Sequence, residues 1–434
     1  MKRRKSIDPY AMKSALFRLN PRLILTSVML FQFTAMIIVA IKTSPIDLQA
    51  LIMAIALPVG TYVSVRVFGA IWPVDRTIMI LTILLLSIGL VTLQDIARSS
   101  ETPFNQAMFI IAGFFAMAFG IVFVRRLVHW DRWMKWFMCL AGALIVAPLI
   151  LGEWTYGAKN WVSIPGTGYS VQPSEFVKPI LIVILAAGFA NQPRTLKCLP
   201  TAVFAAALCA ILLLEHDLGA LLVYFILTVA VFYAATSNAP LTLAGLAAGA
   251  SGAVIAYNMF DYVAKRVEVF LDPWSDPLDN GWQIIQALIA IGSGGLFGMG
   301  VGLGYPRNIP LYHSDFIFAA ICEEFGLIFA IGMLAIYVIL IMRGISVALS
   351  ARLSFHALIA FGVVTLIGFQ TLIIVGGNIK LIPLTGVTLP FVSAGGSSII
   401  SMMGCIGLLL GVSSINAADE LDDYKRMMLM ENGI

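Results

Sequence analysis

A succession of apolar runs, each about the length of a bilayer crossing, fills this chain from end to end with short polar connections between them. A helix needs roughly 20 apolar residues to cross, because the bilayer core offers its backbone polar groups no partners. Barrel strands would alternate apolar and polar residues with period two, and these runs do not. Hydrophobic residues make up 60% of the 434 positions and charged residues 12%, and the mean hydropathy is +0.95. These values exclude an ordinary soluble domain. The expected fold is an all-α, polytopic transmembrane helical bundle.

Spans are expected near 23–41, 48–65, 77–94, 104–124, 134–151, 177–191, 199–214, 219–236, 241–259, 316–342, 355–375 and 398–414, about twelve in all. Lys and Arg collect in short cytoplasmic loops. With the tail Met1-Lys2-Arg3-Arg4-Lys5 inside, the groups Arg66 and Arg76, then Arg125, Arg126, Arg132 and Lys135, then Arg194 and Lys197, then Arg343 and Arg352 fall inside too. The polar stretch 260–315 then lies outside, and both termini are cytoplasmic. The basic N-terminus leads into a full-length apolar run without a small-residue cleavage site, so it reads as an anchor. The net charge of +4 follows from this orientation bias and gives no argument for nucleic acid. Five cysteines, Cys139, Cys198, Cys209, Cys322 and Cys405, lack paired spacing and point to neither disulfides nor a metal site. Residues 1–76 are expected to be a basic N-terminus with an appended hairpin, 77–414 the working core, and 415–434 a cytoplasmic tail.

Four polar clusters carry chemistry. Gln172-Pro173-Ser174-Glu175 followed by Lys178 reads as the outer N-terminus of a helix, with proline at the first position and an acid in the first turn. Its two readings are an intrahelical Glu175–Lys178 pair or a lysine meeting a phosphate. Glu215-His216-Asp217-Leu218-Gly219 is wedged between apolar runs, where ionisable groups face a cavity, a partner charge or a substrate path. Spacing does not say which of the three acts. Asp272 and Asp276 lie among prolines on a constrained outer segment: a general base for a sugar hydroxyl, holders of a divalent cation, or plain turn chemistry. His313-Ser314-Asp315 precedes Glu323 and Glu324, which point about 100° apart on a helix and so cannot form one acid–base pair. The run Gly292–Gly304 lacks the G-K-[ST] ending of a phosphate loop and reads as a close-packed or re-entrant segment. Gly376-Gly377-Asn378 and the run from Pro390 to Ser398 read as a further outer loop.

Six motifs in order carry a resemblance: Gln172-Pro173-Ser174-Glu175-x-x-Lys178, Glu215-x-Asp217-Leu218-Gly219, Asp276-Pro277 with Gly281-x-Gln283, Ala290 to Gly295, His313-x-Asp315-Phe316-Ile317-Phe318, and Pro390-Phe391-x-Ser393-x-Gly395-Gly396-Ser397-Ser398. Together, from about residue 77 to 414, they closely resemble the SEDS proteins, the RodA/FtsW/SpoVE group of bacteria. The resemblance implies a peptidoglycan glycosyltransferase in the cytoplasmic (inner) membrane. Such an enzyme polymerises lipid II, on an undecaprenyl-linked glycan strand, at the outer face for elongation, division or sporulation. It implies a class B penicillin-binding protein as partner. Asp276 matches the family's catalytic carboxylate and Lys178 its required lysine, the first as base on the acceptor 4-hydroxyl and the second stabilising the pyrophosphate. Gln172, Ser174, Glu175, Asp217, His313, Asp315, Ser393, Gly395 and Gly396 are the expected substrate-binding residues. Mg²⁺ or Mn²⁺ on the pyrophosphate is a further expectation. Family members commonly have ten spans, which makes the hairpin at 23–65 an extra pair. Ala394 and Trp282 stand where tyrosine is usual. Ser170 replaces a basic residue that some members carry, so that Arg307, Lys265 or Arg266 is left to supply its charge. The competing readings are a lipid-precursor flippase or transporter, whose buried charges would line a midplane path, and a non-catalytic scaffold of a cell-wall complex.

Overall fold

The computed structural model describes residues 20–42, 45–97, 100–127, 130–155, 157–166, 168–190, 195–279 and 281–431. The basic tail Met1–Lys5 and Arg194 lie outside them. Helices α1 (Pro21–Ile41), α2 (Leu48–Ile71), α3 (Arg76–Ile96), α4 (Thr102–Arg126) and α5 (Trp130–Leu151) lead to a small sheet, β1 (Glu153–Thr155), β2 (Ala158–Ser163) and β3 (Ser170–Val171). After it come α6 (Pro173–Phe189), α7 (Leu199–Leu214), α8 (Leu218–Thr236), α9 (Ala239–Met259), α10 (Asp261–Leu271) and α11 (Trp282–Gly294). The long helices α12 (Ile317–Ser350), α13 (Ser354–Asn378) and α14 (Gly396–Glu431) complete the bundle.

Helices occupy all the positions read as spans. Among the described residues ten are long and apolar enough to cross a membrane. The other two, α6 with 17 residues and α7 with 16, are shorter than these ten. These two are consecutive, so the alternation of everything after them is unchanged. The core runs through α3, which is buried along nearly its whole length, and through α6, α13 and α14. Its polar links are internal, as hydrocarbon demands. Gln32 on α1 donates to Thr61 on α2 at 2.8 Å and to Ser87 on α3 at 2.7 Å, seating the N-terminal hairpin on the core.

Three features of the polar stretches differ from the sequence expectation. Residues 153–171 form an antiparallel sheet in the order β1-β2-β3 rather than a plain loop, with Val162 opposite Val171. The stretch 260–315 is largely folded. It holds the amphipathic α10, the short apolar α11, and a glycine segment strapped onto α12 where Gly326 (φ 83°) breaks that helix. There the Met299 and Gly300 N–H groups donate to the Glu323 and Glu324 carbonyls, and the Leu327 N–H donates to the Gly295 carbonyl. Gly376, Gly377 and Asn378 close α13 instead of forming a loop, and buried Asn378 donates to the Asp315 carbonyl at 2.8 Å.

Candidate active site

Alternation brings the start of α6, the α7–α8 turn, the end of α9, the start of α12 and the start of α14 to one end of the bundle. A cavity of about 820 Å³ opens there. Its walls come from the sheet, from α10 and α11, from residues 311–315, from residues 384–388 and from the α14 start.

Asp217 organises one wall. It caps α8 by accepting the Ala220 N–H at 2.9 Å, and it accepts from Asn160 (2.9 Å), Gln172 (2.9 Å) and Ser174 (3.4 Å). One carboxylate thus joins sheet, α6 and α8. The neighbouring residues divide their tasks. His216, at φ 62°, turns its ring onto Tyr262 of α10 at 3.7 Å and into the cavity wall. Glu215 is fully buried, its carboxylate oxygens have no hydrogen-bond partner, and burial, then the charge of Asp217, pushes it up to about 8.

The opposite wall supplies cations. Lys265 and Arg266 of α10 line the cavity, and Arg266 Nη1 donates to the Leu384 carbonyl at 3.3 Å. Burial pulls the Arg266 guanidinium down from its usual range, while Asp217, Asp315 and Tyr262 draw it back up. Half-buried Asp315 is raised to about 6, by burial first, against the lowering influence of Ser314 and Arg266. Burial also lowers His313, so this imidazole is neutral at physiological pH. Of the three cations named from sequence, Arg307 instead donates to the Ile96 carbonyl at 3.0 Å and is not among the lining residues.

Of the expected substrate-binding residues, Gln172, Asp217, His313, Asp315 and Gly395 line the cavity. Ser174, Glu175, Ser393 and Gly396 stand behind its wall. Ser393 Oγ donates to the Ser314 carbonyl at 2.6 Å and accepts the Leu389 N–H, locking two cavity segments together. Gly396 starts α14 against the Phe109 ring, where a Cβ would lie 2.7 Å from ring carbons. Lys178 is wholly buried, 2.7 Å from both Glu175 oxygens and 3.1 Å from Gln370 Oε1. Glu175 and Gln370 enclose its ammonium. Its reach to the cavity is indirect: Gln370 donates to the Thr388 carbonyl at 2.9 Å, and the Thr388 hydroxyl is 2.7 Å from that of Ser398. Gln370, Thr388 and Tyr262 were not singled out in the sequence, where each is one unremarked polar residue on an apolar helix or loop.

Asp276 is half-buried in a tight turn after a short 3₁₀ segment, Pro273–Ser275. The Gly281 N–H donates to its carbonyl at 2.9 Å, and Asp279, in the same turn, lines the cavity. Asp276 is not among the lining residues. Glu323 and Glu324 both serve the glycine segment: Glu323 accepts the Tyr305 N–H at 3.0 Å and Glu324 the Gly302 N–H. Among the described residues no three His, Cys, Asp or Glu side chains are grouped to hold a metal ion. A divalent cation held mainly by a pyrophosphate needs only one or two protein carboxylates, and no step below is routed through one.

Fold and site together define a multi-pass membrane protein with one polar, cation-bearing cavity at one end of its helices. A family model described as cell cycle protein, FtsW/RodA/SpoVE, matches residues 73–417. The chain belongs to this family. Peptidoglycan glycosyltransferase RodA of Mycobacterium tuberculosis is 34% identical over 331 residues, 71% of this chain and 70% of that protein. Stage V sporulation protein E of Bacillus subtilis is 34% identical over 358 residues, 78% of this chain and 96% of that protein. A chain from a peptidoglycan synthase complex, solved for its coordination of polymerization and crosslinking, superimposes with a TM-score of 0.66 at 27% identity, covering 79% of this chain and 98% of its own. The crystal structure of Thermus thermophilus RodA does so with a TM-score of 0.57 at 25% identity, covering 78% and 96%. The matched region begins after α2, so the N-terminal hairpin lies outside it.

Proposed function

We propose that this protein is a peptidoglycan glycosyltransferase of the bacterial inner membrane, extending glycan strands from lipid II at the outer face. The observation that carries the reading is the meeting, at one cavity, of the α10 cations Lys265 and Arg266 with Asp279 of the turn that also bears Asp276. Glycosyl transfer needs both. A base must take a proton from the acceptor hydroxyl, and positive charge must stabilise the pyrophosphate as it leaves.

We assign the base to Asp276. Its carboxylate removes the acceptor 4-hydroxyl proton as that oxygen bonds to the donor's anomeric carbon. The bond from that carbon to the phosphate oxygen breaks, and undecaprenyl pyrophosphate departs with the electron pair. Arg266 and Lys265 hold the departing charge, with Arg able to bind phosphate oxygens through two N–H groups. Lys178 is assigned a supporting role, bracing Thr388 and Ser398 through Gln370. Asp217 fixes Gln172 and Asn160 toward the sugars. A class B penicillin-binding protein is the proposed partner, taking the new strand for crosslinking.

The test is polymerisation of fluorescent lipid II by the purified protein in nanodiscs, alone and with a class B penicillin-binding protein. Glycan ladders from wild type that vanish in Asp276→Asn, with the variant's thermal unfolding unchanged, are the expected result. Wild type that makes no polymer under either condition, while binding lipid II, would refute the transferase.

A further inference from the structure

Helix α10 carries the cavity's cations yet has no buried residue of its own, and it follows α9, in which Ala256 alone is buried. Such a helix needs specific anchors to stay over a cavity. Lys380 Nζ donates to the Leu271 carbonyl at 3.3 Å at its far end, and Arg266 itself makes one contact, with the Leu384 carbonyl. The near end is held through Tyr262. Its hydroxyl donates to the Leu213 carbonyl at 2.8 Å, and its ring lies on His216 with centroids 3.7 Å apart and planes 16° from parallel.

His216 is prepared for this contact. Its φ of 62° is uncommon outside glycine and turns the side chain out of the α7–α8 turn toward α10. Nδ1 sits 3.2 Å from the Gly157 carbonyl, and the edge of Trp154 meets the ring at 5.0 Å and 69°. The sheet therefore fixes the imidazole on two sides and leaves its face for Tyr262. On α10, Tyr262 precedes Lys265 and Arg266 by three and four residues, the spacing that puts all three on one helix face.

We infer that the His216–Tyr262 stack is a positioning latch that sets Arg266 and Lys265 at the pyrophosphate subsite. This rests on the proposed transferase reading of the cavity. Neither ring touches the reacting atoms. The latch acts on how firmly the donor's pyrophosphate is held, so it governs KM for lipid II more than kcat.

The experiment compares His216→Asn, Tyr262→Ala and Tyr262→Phe in the full-length protein in nanodiscs, by lipid II kinetics and by hydrogen exchange of residues 261–271. Asn tolerates the left-handed conformation, so this variant removes the ring without straining the backbone. An aromatic pair is worth up to about tenfold in an equilibrium constant, so His216→Asn is expected to raise KM roughly three- to tenfold with kcat within about twofold. Exchange in 261–271 accelerates and that of α3 does not. Tyr262→Ala moves both readouts the same way, and Tyr262→Phe, which keeps the stacking ring, stays nearer wild type than Tyr262→Ala. Adding Tyr262→Ala to His216→Asn changes neither readout beyond the worse single variant, as expected for two residues acting as one unit. Unchanged exchange in 261–271, a loss confined to kcat, or a Tyr262→Phe variant as impaired as Tyr262→Ala would each overturn the latch. A wild type that makes no polymer refutes the transferase reading instead, and the exchange comparison still decides whether the stack holds α10.

Discussion

Asp315 sits where charges of both signs compete, with Arg266 and Asp217 acting on it across the cavity and Ser314 beside it. Burial raises its carboxyl to about 6, above the ordinary value of 3.8. A raised acid binds its proton first in the folded protein. Its contribution to stability is therefore fully present below about pH 4 and is lost as the pH rises through about 6. The same protonation changes the cavity's charge. Below pH 6 neutral Asp315 no longer offsets Arg266, and an anionic pyrophosphate binds better. Affinity for undecaprenyl pyrophosphate should thus strengthen severalfold from pH 7.5 to pH 5.5 in wild type, and the slope should flatten in Asp315→Asn. Binding measured by calorimetry at the two pH values checks this; a slope that survives the substitution assigns the proton to another group. Lys178 behaves differently, because its charge is spent on Glu175. Breaking such a buried pair from one side costs about 3–5 kcal/mol, so Lys178→Ala reads as a folding defect before it reads as a catalytic one.

At the scale of elements, the contacts of Gly281 show how backbone packing fixes the turn that bears Asp276, the proposed base. A Cβ on Gly281 would stand 1.9 Å from the Pro273 carbonyl oxygen and 2.9 Å from that of Asp276. Gly281→Ala must therefore push apart the turn that carries Asp276. Overpacking of this kind costs about 1–3 kcal/mol, and the displaced base should lower kcat at least tenfold with little change in KM. Gly292 is the control, since a Cβ there meets nothing within 4 Å and Gly292→Ala should retain wild-type activity. Equal activity of the two variants would remove the turn from the argument. Neither contact is readable from spacing alone. Span positions were legible because length and hydropathy report directly on hydrocarbon. The grouping of Gln172, Asp217, His313, Asp315 and Gly395 was legible once all were placed on one side. Helix α10 was hidden because 11 residues of mixed charge look like a loop until Tyr262, Lys265 and Arg266 are seen to share a face. The Lys178–Gln370–Thr388 relay spans 192 residues in its first link, and no local pattern encodes such a contact.

For the whole molecule, the two ends of the bundle are chemically opposite. Arg343 pairs with Asp75 at 2.5 Å, and Arg352 pairs with Asp419 and Asp423. These groups, with Arg76, Arg125 and Arg126, cluster at the end away from the cavity, as helix alternation requires. Basic ends are preferentially retained on the cytoplasmic side, which predicts a cavity facing out, where a lipid-linked disaccharide after translocation would meet it. Parity makes the claim independent of the hairpin α1–α2, since a pair of crossings leaves all later segments in the same orientation. A single reporter on each side decides it. In a background without the five native cysteines, Leu278→Cys, 84% exposed beside Asp276, should react with a membrane-impermeant maleimide in intact cells. Tyr424→Cys, on the exposed end of α14, should react only after the membrane is opened. The inverse pattern would put Asp276 in the cytoplasm, where the acceptor strand is absent, and the outer-face polymerase would fail even with every contact in the cavity intact.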